Sequence, residues 1–230
     1  MDNNICIIPA RGGSKRIPRK NIKPFLGRPI ITYSIETAQK SGLFEEIMVS
    51  TDDREIADIA RQYGAKIPFF RSAKNADDHA TTMDVIQEVV EQYSSQGRHF
   101  DYICCIYPTA PLVLTEHLQR GHETLRDGPI NAVFPVLAFS YPIWRGLKKN
   151  ASGKVEMIFP NYARTRSQDL PKTYHDAGQW YWLKPEALGK PLFQNARMVE
   201  LSESDAQDID TLSDWRMAEL KYKIRQGEKV

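Results

Sequence analysis

The sequence predicts an α/β fold in which helices cover both faces of a mainly parallel sheet, a three-layer, Rossmann-like arrangement. Two observations carry this expectation. Short apolar runs alternate with stretches of 3.6-residue periodicity through more than half of the chain, the pattern of consecutive βαβ units. The 230 residues, 41% hydrophobic and 26% charged, also have the balance of an ordinary globular protein whose core needs no disulfide or metal staple. No linker, repeat or low-complexity tract interrupts the chain, and residues 1–230 read as a single domain.

Ile5-Cys6-Ile7-Ile8 is an uninterrupted apolar run, as expected of a strand buried on both faces, and Pro9 ends it. Ile30, Ile31, Ser34, Ile35 and Ala38 share a helical face that stops at Ser41-Gly42, and Ile47-Met48-Val49 is the next strand. Ile56, Ile59, Ala60 and Tyr63 make a second helical face closed by Gly64, followed by an expected strand from Ile67 to Phe70. Val85, Ile86, Val89, Val90 and Tyr93 define the next helix. Strands at Tyr102–Tyr107 and Ala132–Val136 flank a helix through Leu118 and Leu125.

Beyond Ser140 the rhythm changes. Trp144–Lys148 and Val155–Phe159 flank Asn150-Ala151-Ser152-Gly153, which reads as a hairpin within a protruding arm over 141–175. Asn161–Asp176 is polar and irregular. Gly178–Leu183 is aromatic and strand-like, its aromatics read as sheet core or subunit contact, and Trp215, Ala218 and Tyr222 lie on a terminal helix.

The three cysteines, Cys6, Cys104 and Cys105, have no metal-ligand spacing and point to a reducing, cytoplasmic setting. No signal-peptide pattern opens the chain and no apolar run approaches the ~18 residues of a membrane span, so no membrane partner is expected. Formal charge is only +2, which does not indicate a general polyanion-binding surface. The positive charge is local instead: Asn3–Ile35 holds Arg11, Lys15, Arg16, Arg19, Lys20, Lys23 and Arg28 with no acidic residue, which suits a small polyanion.

That charge surrounds a glycine loop placed directly after the first strand. Gly12 and Gly13 let backbone approach a ligand and offer N–H groups to an anion, while the cations offset phosphate charge. Neither GxGxxG nor GxxxxGK[ST] is present. The loop's other readings are a solvated basic turn or a nucleic-acid-binding module. A second feature is Asp208-Ile209-Asp210, where alternate residues of an extended segment project to one side, about 6.5 Å apart, and two carboxylates can address one Mg²⁺. The same DxD pattern also occurs in glycosyltransferases. Asp52 and Asp53, which follow the second strand at the expected mouth of the site, compete with this pair but read mainly as N-terminal residues of the helix that starts at Arg54, and Asp77 and Asp78 as supporting groups.

The stretch IPARGGSKRIPRKNIKPF resembles the signature loop of the sugar-acid cytidylyltransferases, the CMP-sialic acid synthetase-like (acylneuraminate cytidylyltransferase) family. Ser50–Asp53, Arg71 with Asp78–Thr82, Tyr107–Pro111, Thr165–Leu170, Tyr174–Gln179 and Gln207–Asp210 resemble further family segments in the family order. Arginine at both Arg16 and Arg19 resembles the pseudaminic acid branch. The resemblance implies a nucleotidyltransferase fold, CTP and a nine-carbon sugar acid as partners, Mg²⁺ as cofactor, and a homodimer formed through the arm. The implied reaction transfers CMP to the anomeric hydroxyl of pseudaminic acid, with sialic or legionaminic acid as alternatives.

By the same resemblance Arg11, Gly12, Gly13, Ser14, Lys20, Asn21, Arg71 and Thr82 hold CTP, with Arg11 and Lys20 as catalytic cations and Asp208 and Asp210 as metal ligands. The sugar side is expected to use Tyr107, Arg166, Gln168, His175, Asp176 and Gln179. Tyr107 and the Asp176–Tyr181 segment differ from the sialic acid pattern, which is why the sugar is expected to differ too.

Overall fold

The structure, a computed structural model, describes residues 2–228. Strand β1 (Asn4–Pro9) leads into the basic loop, which closes on a ribbon of β2 (Pro24–Phe25) and β3 (Arg28–Pro29). Helix α1 (Ile31–Ser41) ends where Gly42 takes a φ of 65°, the left-handed conformation that glycine adopts without Cβ strain. There follow β4 (Glu46–Ser50), α2 (Arg54–Gln62), the short α3 (Ala73–Ala76), α4 (Thr82–Ser95), β5 (Tyr102–Ile106), α5 (Thr115–Arg126) and β6 (Ala132–Ala138). The last third holds β7 (Leu147–Lys149), β8 (Val155–Met157), β9 (Tyr174–Asp176), β10 (Trp180–Leu183), β11 (Ala196–Glu200) and α6 (Leu212–Arg225).

The central sheet has the order β11-β6-β10-β5-β1-β4, with β9 added on β6. β1 is parallel to β4 and β5, and β11 is parallel to β6. β10 is inserted antiparallel between β5 and β6, and β9 is antiparallel to β6. The mainly parallel expectation therefore holds, with two reversed strands.

Alternation along the strands divides the core. Cys6, Ile8 and Cys104 pack with Ile31, Ile35, Ala60 and Leu118 of α1, α2 and α5 on one face. Ile5, Ile7 and Cys105 meet Ile86, Val89 and Tyr93 of α4 on the other. The adjacent thiols thus point to opposite faces, all three cysteines are buried and unpaired, and burial pushes their pKa values up. A third cluster joins Ile17, Phe25, Ile30 and Tyr33 to Ile209, Trp215 and Ala218. It pins the basic loop and the Asp208–Asp210 segment to the same aromatic patch, although they are far apart in the chain.

Three readings of the sequence need correction. The expected Ile67–Phe70 strand is absent, and one bridge from Lys66 to Met48 takes its place. Pro68 has no N–H for a ladder and restricts Ile67 before it. Within the stretch read as irregular, Tyr174–Asp176 forms β9, and the edge strand β11 went unpredicted, its side chains being polar or exposed. The hairpin β7–β8 is an antiparallel pair as expected, but shorter: Trp144 lies in a helical turn, the first strand begins only at Leu147, and the second ends at Met157.

Candidate active site

The carboxyl end of β1 delivers Pro9 to two adjoining cavities. One, about 190 Å³, is lined by Arg11, Ser14, Lys15, Arg16, Lys20, Asn21 and Thr109. The other, about 200 Å³, is lined by Arg11, Arg71, Asp78, Thr81, Thr82 and Tyr107. Arg11 belongs to both. The structure so brings Arg11, Ser14, Lys20, Asn21, Arg71 and Thr82 to one mouth of the sheet, where ligands of parallel α/β folds bind. A larger cavity, about 570 Å³, lies at the opposite end of the strands around Asn4, Phe44 and His122, and none of the expected site residues lines it.

The cations are held by named acceptors. One Arg11 Nη donates to the Asp77 carbonyl at 2.8 Å and to Asp78 Oδ1 at 2.7 Å, and Lys15 also pairs with Asp78. Lys15 and Arg11 together hold the Asp78 carboxyl below the usual range. Arg19, with a φ of 55°, turns out of the loop to Asp53 and Glu55, leaving it as a brace against α2. Asp53 is also the expected cap of α2, accepting the Ile56 N–H at 3.0 Å. A Cβ on Gly12 would lie 2.7 Å from Asp53 Oδ2, so glycine is required there by close packing.

The anion nest expected at both glycines is half occupied from within, because Asp52 Oδ1 accepts the Gly12 N–H at 2.9 Å. Asn21, 5% exposed, donates its amide to the Arg11 carbonyl at 2.9 Å and fixes the shape of the loop. Arg71, 8% exposed, donates to Ser50 Oγ and to the Ser50 carbonyl, and burial lowers its pKa to about 10. Thr82 is the first residue of α4; the helix cap is Thr81, and the Thr82 hydroxyl meets the Tyr107 hydroxyl at 3.2 Å.

Lys20 makes the contact that organises the site. Its Nζ donates to the Ile209 carbonyl at 2.6 Å and lies 3.8 Å from Asp210 Oδ1, while Arg16 pairs with Asp210 Oδ2 at 2.5 Å. Burial lowers the Lys20 pKa. Ile209 is buried in the aromatic cluster, so the carboxylates on either side of it are directed away from the core. Desolvation, then the Asp210 charge, pushes the Asp208 carboxyl above its ordinary range. No cation stands within ion-pair distance of Asp208 among the described residues. Two neighbouring carboxylates, one of them uncompensated, form the donor set that a hard divalent cation takes together with phosphate and water. No cluster of three or more His, Cys, Asp or Glu residues suited to a metal occurs among the described residues.

A third cavity, about 260 Å³, is lined by Phe139, Ser140, His175, Gln207, Asp208 and Lys221. His175 and Asp176 are exposed here on β9, and the His175 ring packs 4.9 Å from that of Phe139. Gln179 corrects the sugar-side expectation: it is 1% exposed and donates its amide to the Asp205 carbonyl at 2.6 Å, bracing the segment that leads to Asp208. Arg166 and Gln168 lie on an exposed turn of the arm, where Arg166 pairs with Asp169 at 2.8 Å, and neither lines these three cavities.

Sequence reasoning placed Asp52 at the mouth of the site without its bond to Gly12, and missed Lys221 and Tyr181. Tyr181 had a signal: period-two alternation sets it opposite Trp180 and Trp182, which are fully buried core residues. Lys221, on a helix with little amphipathic contrast, had none.

A cytidylyltransferase family model matches residues 5–185. Pseudaminic acid cytidylyltransferase of Campylobacter jejuni subsp. jejuni serotype O:2 is 43% identical over 227 residues, covering 96% of this chain and 97% of that protein. CMP-N,N'-diacetyllegionaminic acid synthase of Legionella pneumophila is 29% identical over 98% of this chain and 99% of its own length. The solved structure of CMP:2-keto-3-deoxy-manno-octonic acid synthetase complexed with CTP shares the fold, with a TM-score of 0.72 at 18% identity over 98% of this chain and 99% of that one. With the basic loop and the paired aspartates meeting beyond the carboxyl ends of the strands, this chain belongs to the cytidylyltransferase family.

Proposed function

We propose that this enzyme transfers CMP from CTP to the anomeric hydroxyl of pseudaminic acid, releasing pyrophosphate. The observation that carries this reading is the seating of Lys20 on the Asp208–Asp210 segment, in a chain 43% identical to a pseudaminic acid cytidylyltransferase. The sugar's anomeric oxygen bonds to the α-phosphorus as the α–β anhydride bond breaks. The reaction needs alignment and charge stabilisation and no covalent protein intermediate.

Arg11, Lys15, Arg16 and Lys20 surround the space for the triphosphate, and Arg71 and Ser14 face the nucleotide. Asp208 and Asp210 would hold Mg²⁺, which when bound offsets charge on the departing phosphates. A water held by Asp208 or Asp210 would take the hydroxyl proton and pass it to solvent. His175 and Asp176 face the sugar. A homodimer forms through the arm, where Tyr141, Leu147 and Val155 are 69%, 62% and 68% exposed. Three unpaired buried thiols and the use of CTP suit a cytoplasmic enzyme.

The test is pyrophosphate release with each nucleoside triphosphate against a panel of nonulosonic acids. CTP with pseudaminic acid is expected to be fastest, and sugar-dependent turnover driven equally by ATP would contradict the assignment.

A further inference from the structure

Tyr181 sits on β10 between Trp180 and Trp182 but faces the other side of the sheet. The two tryptophans are fully buried beneath α5, where Trp182 donates to the Leu118 carbonyl at 3.0 Å. The Tyr181 ring instead packs against Tyr107, with centroids 5.4 Å apart, and against Phe134 at 6.2 Å. Its hydroxyl donates to Asp176 Oδ2 at 2.8 Å, and the other carboxylate oxygen accepts the Gly178 N–H at 2.7 Å. Asp176 itself is exposed. The turn that carries it abuts the paired aspartates, since a Cβ on Gly178 would lie 3.5 Å from the Asp208 carboxyl carbon.

A carboxylate has about four lone-pair directions over its two oxygens, and two donors leave the others open. The donors come from separate groups and grip separate oxygens, so they fix the orientation of the carboxylate and not merely its place. An acceptor fixed in this way discriminates sugars by the placement of their N–H and O–H groups, because a mismatched sugar leaves it unpaired. We propose that Tyr181 is a positioning residue for the sugar acid, holding Asp176 as an oriented acceptor for a hydroxyl or amide N–H of that substrate. This rests on the sugar-acid cytidylyltransferase reading above.

The test is steady-state kinetics of Tyr181→Phe, Asp176→Asn and the double variant, with CTP and pseudaminic acid varied in turn. Tyr181→Phe keeps the ring packed on Tyr107 and removes one O–H. It is expected to raise KM for the sugar about tenfold, the order of a lost hydrogen bond to a charged group, while KM for CTP stays within about twofold. Asp176→Asn should raise the sugar KM at least as far, and the double variant no further, because Tyr181 acts through Asp176. Parallel rises in both KM values, additive effects, or an unchanged sugar KM in Asp176→Asn would overturn the proposal. Should Tyr181→Phe fold poorly, Asp176→Asn at its exposed site carries the same readout. A wild-type enzyme that turns over no nonulosonic acid would overturn the underlying reading, and the proposal with it.

Discussion

Lys20 can be replaced by methionine, which keeps most of the stem and removes the ammonium. Its Nζ is 2.6 Å from the Ile209 carbonyl and 3.8 Å from Asp210, with the side chain only 18% exposed. A unit charge acting on a phosphate oxygen at ~4 Å contributes about 4 kcal/mol at an effective dielectric constant near 20. Loss of one well-placed donor to developing charge costs about 2.7–4 kcal/mol, so kcat/KM should fall ~100- to 1,000-fold. Stability should change little: the lost hydrogen bond, about 1 kcal/mol, is opposed by relief from burying a charge, which is what lowers the lysine pKa. Pyrophosphate release at varied CTP, alongside thermal unfolding, measures both. Because the ammonium form is the active one, activity should fall as pH rises through a pKa below the ordinary lysine value, and Lys20→Arg should move that limb upward. A methionine variant retaining more than a tenth of wild-type kcat/KM would refute this role.

Asp208→Asn and Asp210→Asn should each lower turnover at least ~100-fold through loss of a metal ligand, with the fold intact by circular dichroism; wild-type rates at subsaturating Mg²⁺ would contradict this. In the wild type Mg²⁺ affinity should begin to weaken, as pH falls, above the usual carboxylate range, because in the metal-free protein burial and the Asp210 charge favour protonated Asp208. Glu46, 1% exposed, accepts from Lys66, Tyr93 and Arg98. Burial alone would raise its pKa, but these donors outweigh it and hold the carboxyl low, so its stabilisation is present above the unfolded carboxylate pKa of ~4.3 and lost as pH falls through the folded value. Glu46→Ala should destabilise by about 1–3 kcal/mol in chemical denaturation, because it leaves the buried Tyr93 hydroxyl without its acceptor while the exposed Lys66 and Arg98 heads return to water. An unchanged denaturation midpoint would remove that role.

The strands and helices that carry the site were legible because burial on two faces writes continuous apolar runs and one-sided faces write a 3.6-residue period. Cys104 and Cys105 on opposite faces, Asp53 as a cap, and Asp208 and Asp210 directed away from the core around Ile209 all follow from local geometry. Side-chain partners did not follow in the same way. Asp52 takes the Gly12 N–H and Gln179 turns inward to Asp205 because tertiary packing, and no local period, chooses those contacts. Strand β11 was illegible because an edge strand with exposed side chains carries little hydrophobic pattern. Lys66 likewise joins β4 by an isolated backbone bridge and a side-chain contact to Glu46, neither of which a local period records.

The identity of the sugar is tested most directly by kcat/KM for pseudaminic acid and for sialic acid at fixed CTP and Mg²⁺. Tyr107, paired with Thr82, and Asp176, held by Tyr181 and Gly178, give this site a polar pattern set by hydrogen bonds. Such a pattern rejects an analogue with a group inverted far more strongly than an apolar pocket does. The account predicts that pseudaminic acid is favoured by at least ~10-fold; equal values, or a preference for sialic acid, would contradict it.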